Sequence, residues 1–190
     1  MAADDDLLIR SVTDAEAFEP LVTRHSAALH GYLARRAPDA ADDLLAEVWL
    51  RSYAGRAGFD PARGTARTWL FGVARNVLAA HWRQRAKDPF AALGEERGSD
   101  PWHAVDQRLD AAAVAPLMRR TIAQLPEVER ELLLLVVWED LTPAEAAAVV
   151  GIPPGTARSR LHRARGRLRA VLAPEPPGPP RTLRMAGDWT

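Results

Sequence analysis

Residues 153–172, PPGTARSRLHRARGRLRAVL, hold six arginines and no acid, in a chain whose formal net charge is zero. Guanidinium groups pair with phosphate through two parallel N–H donors, so this density of arginine points to a polyanion. Ala157, Leu161, Ala164, Leu168 and Val171 recur at steps of four, three, four and three. That stripe predicts one helix whose apolar face meets the rest of the protein. At about 100° per residue, Arg158, Arg165 and Arg169 fall on one flank, and Arg160, Arg163 and Arg167 on the other. Ser159, His162 and Gly166 lie between the flanks, opposite the stripe. Flanking cations reach phosphates while small polar residues between them face base edges, which suits a major groove.

A second acid-free run spans residues 61–87 and holds Arg63, Arg67, Arg75, Arg83, Arg85 and Lys87. Here aromatics interleave with the cations. Arg75 projects nearly opposite the core face set by Leu70, Val73 and Val77, with Thr68, Phe71 and Trp82 nearby. Rings beside guanidinium groups offer stacking planes and phosphate partners for an unpaired strand. The acids collect elsewhere, above all in DAADDLLAE at 39–47. An acidic rim around an apolar stripe suits a basic helical partner. No other chemistry is legible. The five histidines, His25, His30, His81, His103 and His162, form no HExxH pair, and the chain has no cysteine, phosphate-binding glycine loop or nucleophile elbow. A non-enzyme with no metal and no cofactor is expected, acting on no small-molecule substrate.

Helices must position these groups, and the pattern is helical nearly throughout. Phe18, Leu21, Val22, His25, Leu29, Tyr32 and Leu33 predict one amphipathic helix, and 39–53 another. GFDPARG at 58–64 reads as a turn before a long helix over 65–85. Periodicity lapses over the Pro-, Gly- and acid-containing stretch that follows. Helices are expected again over 104–124 and 126–139, then as a pair over 143–150 and 155–172. Thr142, Pro143 and Glu145 predict a capping box at the start of that pair, and Gly151 with Pro153 and Pro154 its turn. The fold class is therefore all-α: two small helical domains, 15–87 and 104–173, joined by a flexible linker at 88–103. The Pro-rich tail, 174–190, is expected to be disordered. Apolar residues make up 47% of the chain, enough for real cores. The acidic N-terminus does not read as a secretory signal, and the longest apolar run is far shorter than the roughly 20 residues that span a bilayer. A cytoplasmic protein without membrane insertion is expected. Three kinds of protein fit at this level: a transcription factor of two DNA-gripping halves, a dimeric helix-turn-helix regulator, or a module whose basic faces bind an acidic protein.

LPEVERELLLLVVWEDLTPAEAAAVVGIPPGTARSRLHRARGRLR resembles the C-terminal DNA-binding domain of extracytoplasmic-function (ECF) sigma factors of bacterial RNA polymerase. DAADDLLAEVWLRSY resembles the family's polymerase-binding helix, and RGTARTWLFGVARNVLAAHWRQR its promoter-melting helix. The resemblance covers most of residues 15–172. It implies that Asp42, Asp43, Leu45, Glu47, Val48 and Leu50 dock on the clamp helices of the largest polymerase subunit. It implies that Trp69, Arg75, Asn76, His81, Arg83 and Arg85 hold the melted downstream (-10) element. Thr156, Arg158, Ser159, Arg160, His162, Arg163 and Arg165 would read the upstream (-35) element. Core RNA polymerase, promoter DNA and an anti-sigma factor are the partners implied. Two positions depart from the family pattern: Ala46, where Gln is common, and Ala80, where an acid is common. A helix-turn-helix regulator that needs no polymerase stays the alternative.

Overall fold

A computed structural model describes residues 3–87 and 115–172. Every regular element among them is helical. The first half contains α1 (Asp4–Arg10), α2 (Glu19–Ala34), α3 (Ala41–Gly55) and α4 (Ala66–Arg85), and the second α5 (Ala115–Ala123), α6 (Glu127–Val137), α7 (Pro143–Val150) and α8 (Pro154–Leu172). The linker and the tail expected at 88–103 and 174–190 lie outside the described residues, as does the start of the helix expected from residue 104.

Local chemistry explains most boundaries. Thr65 caps α4 by accepting from the Thr68 amide. Thr142 and Glu145 form the expected capping box on α7, with Pro143 in the first turn. Gly151 ends α7 at φ 78°, the left-handed conformation a side chain would strain, and the Ile152 amide donates back to the Ala147 carbonyl over 3.0 Å. The element not anticipated is α1. Its first turn is Asp4, Asp5 and Asp6, favourable beside the positive end of a helix, and its Leu7 and Leu8 are buried.

Two apolar clusters hold the molecule. A smaller one joins Leu7 and Leu8 to Ala17, Phe18, Leu21 and Ala66, with Trp49, Phe59 and Trp69 packed at its edge. The larger one runs without a break from Leu29, Tyr32 and Leu33 on α2, through Leu70, Phe71, Ala74 and Val77 on α4, into Ala146, Val149 and Val150 on α7 and Leu161 on α8. The halves are thus not beads on a string. They share an interior, with α4 lying against α7.

Polar groups reinforce the junction. Arg35, just past the end of α2, pairs with Glu139, beyond the end of α6, and Arg67 donates to the Glu139 carbonyl. Arg36 pairs with Glu131 at 3.2 Å, and the Tyr32 hydroxyl donates to the same carboxylate at 2.9 Å. Burial and the neighbouring Glu131 carboxylate push the Tyr32 phenol well above its usual range, so it stays protonated and keeps that donor. Burial also raises the Glu139 carboxyl, with Arg35 opposing.

Candidate nucleic-acid interface

The α7–turn–α8 unit presents α8 as the sequence predicts. Ala157, Leu161 and Ala164 are buried and Leu168 and Val171 half-buried, against α5, α6 and α7. Arg158, Ser159, His162, Arg163 and Arg165 are exposed, and Thr156 and Arg160 half-exposed. The Ser159 hydroxyl donates to the Thr156 carbonyl at 2.9 Å, which leaves its lone pairs facing solvent. Among the described residues no carboxylate pairs with Arg158, Arg160, Arg165 or Arg169. Arg163 and Arg167 differ. Both reach Glu129 on α6, Arg167 at 2.8 Å and Arg163 at 3.6 Å, although Glu129 is only 5% exposed. Glu129 lies 34 residues before Arg163, and no pattern in the sequence marks it as their partner. An exposed cationic face with its middle row free can lie against duplex DNA.

On α4 the arrangement is more constrained. Thr68 and Phe71, placed beside Arg75 by the sequence pattern, are both buried. Phe71 meets Tyr32 edge-on at 5.6 Å, with the Arg67 guanidinium over its ring, and Thr68 lies within reach of Glu145 on α7. The reason is that α4 is covered on two faces, by its own half and by α7. Trp69 is half-buried between the two clusters, edge-on to Phe59 at 6.1 Å, so its ring packs. Arg75 is half-buried and Asn76 exposed.

The C-terminal end of α4 is the open part. Trp82, 39% exposed, stands edge-on to His81 at 5.0 Å, with Arg85 over its ring at 5.9 Å and Arg83 exposed beside it. Partial burial and the Arg85 charge hold the His81 imidazole below its usual pKa, favouring the neutral ring at neutral pH. Trp82 therefore joins the candidate strand-binding residues. A large exposed ring between cations is the signal for it.

On α3, Asp42, Asp43 and Leu50 are exposed, Leu50 by 67%. Leu45 and Glu47 are half-buried, with Arg51 on Glu47 and His30 on Asp42 at 3.1 Å. Val48 corrects the expectation for this face. It is wholly buried in the larger cluster, about half a turn out of phase with the exposed row, so it supports α3 from behind. Exposed Ala46 and Tyr53 fall in phase with Asp43 and Leu50 instead. Among the described residues no His, Asp and Glu group could hold a metal, and no helix is long and apolar enough to cross a membrane.

Comparison with known proteins gives this geometry a class. Residues 21–88 match the family described as sigma-70 region 2, and residues 117–168 match sigma-70, region 4. The chain is 41% identical over 138 residues to a probable RNA polymerase sigma-C factor of Mycobacterium bovis, covering 72% of each chain. It is 32% identical over 177 residues to the ECF sigma factor RpoE of Cereibacter sphaeroides, covering 87% of this chain and 91% of that one. Similar solved structures include two complexes. CnrH in complex with the cytosolic domain of CnrY has a TM-score of 0.63 at 26% identity, covering 90% of this chain and 97% of that one. RpoE of Bartonella quintana, in complex with the anti-sigma factor NepR, has a TM-score of 0.63 at 25% identity, over 82% and 96%. The molecule is a two-region sigma-70-type protein. More narrowly, the chain belongs to the ECF sigma factors, which direct transcription initiation by RNA polymerase.

Proposed function

We propose that this ECF sigma factor seats core RNA polymerase on its promoter through three surfaces. The exposed row of α8, with Thr156, Arg158, Ser159, Arg160, His162, Arg163 and Arg165, reads the upstream element in duplex form. Asn76, His81, Trp82, Arg83 and Arg85 on the open end of α4, with Arg75, take up the melted downstream strand, stacking on Trp82 offsetting part of the unstacking cost. Asp42, Asp43, Glu47 and Leu50 on α3 dock on the polymerase clamp helices, Leu45 and Val48 holding that face in shape. The observation that carries this reading is the exposed middle row of α8, Ser159, His162 and Gly166, where the Ser159 hydroxyl bonds only back to Thr156 of its own helix.

The complexes of CnrH with CnrY and of RpoE with NepR support control of this chain by an anti-sigma factor. Cytoplasmic action follows from these partners. Transcription with purified core polymerase on a library of promoters tests the proposal. Promoter-selective initiation that disappears in the Arg158→Ala, Arg165→Ala double variant is the expected result. Initiation unchanged by that variant would remove α8 from the account, and DNA binding at a palindrome without polymerase would favour a regulator.

A further inference from the structure

Glu129, in the first turn of α6, lies beneath α8 with its side chain almost out of water. Its two oxygens serve two arginines one turn apart. Oε2 accepts from Arg167 Nη1 at 2.8 Å, and Oε1 lies 3.6 Å from Arg163 Nε. The two cations stay largely in solvent, their side chains 60% exposed for Arg163 and 51% for Arg167.

Stability does not account for this arrangement. Burying a carboxylate costs desolvation free energy, and ion pairs whose cation is this exposed return little. The positive end of a helix favours an acid, but Glu127 stands exposed in the same turn and supplies one without burial. What the buried carboxylate does achieve is to fix two side chains that would otherwise sample many rotamers.

The two arginines stand differently on α8. Arg163 follows Ser159 by four residues, so it lies only about 40° round the helix from the middle row. Arg167 follows Gly166 directly and lies about 100° from it, on the flank proper. Glu129 meets Arg163 at Nε, which leaves the edge formed by its two Nη groups for another acceptor. Arg158 holds the equivalent place on the opposite flank, four residues before His162, and meets no carboxylate among the described residues.

We propose that Glu129 is a positioning residue for promoter reading, holding Arg163 so that its free edge pairs with one guanine of the upstream element. Arg158, unheld, grips phosphate. This rests on the reading of α8 as the helix that enters the upstream duplex. A paired contact to guanine O6 and N7 needs both donors placed together, and a reading group must be held within about 0.5 Å and 10–20°. A long side chain anchored beforehand meets that tolerance and loses less freedom on binding.

The test uses the full chain with core polymerase, on promoters in which each base pair of the upstream element is varied in turn. In Glu129→Leu, the preference at one G·C pair falls by about tenfold, the order set by one paired arginine–guanine contact. Preferences at the other pairs stay within twofold. The thermal midpoint is kept or raised, because an apolar side chain replaces a buried charge whose partners can turn to water. Glu129→Gln, which keeps an acceptor but not the charge, loses less. Arg163→Ala loses the same preference, and adding Glu129→Leu to it costs nothing further. Preferences within twofold of the parent at every pair in Glu129→Leu overturn the positioning role. So does an equal loss at all pairs with a lowered midpoint, the mark of structural support alone. The two failures separate: an Arg158→Ala, Arg165→Ala variant without effect removes α8 from the duplex, and Glu129 with it. An effect there with none in Glu129→Leu removes Glu129 alone.

Discussion

The two helices assigned to DNA, α8 and α4, carry similar charge and differ in how much of their circumference belongs to the fold. Helix α8 gives one stripe to its own domain and leaves the rest free. Helix α4 is gripped by α2 and α3 on one side and by α7 on another, and its first turn is held by α1. The difference teaches that one of them is an appliance mounted on its domain, whereas the other is part of the frame of the whole molecule. Changes on α8 should therefore act on recognition or on one half, and changes on α4 should be felt throughout.

Substitutions can break that contrast. Phe71→Ala, in the shared interior, is expected to cost about 3–5 kcal/mol. In denaturant unfolding followed by hydrogen exchange, protection should fall in both halves. Leu161→Ala should cost about 2–5 kcal/mol, yet the loss of protection should centre on α5 to α8. If Phe71→Ala spared the second half, the idea of a common frame would be wrong.

Glu139→Ala strands Arg35 at the junction and should cost about 1.5–3 kcal/mol, the range for a hydrogen bond to a charged group. Glu139→Gln should cost less, because burial already favours the neutral carboxyl. The sign follows from its raised pKa. The unfolded state releases this proton at lower pH than the native state does. The stabilisation is therefore complete below the ordinary carboxylate range and is lost as pH rises through the raised native value. Acidification from neutrality towards that range should stabilise the parent relative to Glu139→Gln, a difference that urea midpoints measured along a pH series would show. Asp4 behaves in the opposite sense: its lowered pKa gives stability that is present above the ordinary carboxylate range and lost as pH falls through its depressed native value.

The smallest effect sharpens the contrast from the α8 side. Thr142→Ala removes one reciprocal cap of α7 and should cost about 1 kcal/mol, lowering the thermal midpoint slightly. It leaves the exposed row of α8 unchanged.

Legibility followed the same divide. The stripe of α8, the capping box at Thr142 and the turn at Gly151 depend on neighbours in sequence, so periodicity and residue type announce them. Helix α1 has only seven residues, too few for a period to register, and its leucines acquire meaning only beside Phe18 and Ala66. Val48 looked like part of the docking face because α3 is apolar on more than one side. Thr68 and Phe71 looked free because their neighbours are distant in sequence: Thr68 meets Glu145, 77 residues further on, and Phe71 meets Tyr32, 39 residues earlier. The pairing of Arg35 with Glu139 spans 104 positions, a separation over which side-chain chemistry leaves no trace in spacing.

The buried Glu129 carboxylate has a consequence for how the protein responds to ionic strength. Two of the six arginines on α8 already spend charge on it, so fewer cations remain to displace the ion atmosphere of a duplex. With one carboxylate offsetting one of the six positive charges, the fall of log affinity with log salt should have a slope of about −4.5, against about −5.4 for six uncompensated arginines. Glu129→Gln should steepen that slope, converting an internal brake into non-specific grip.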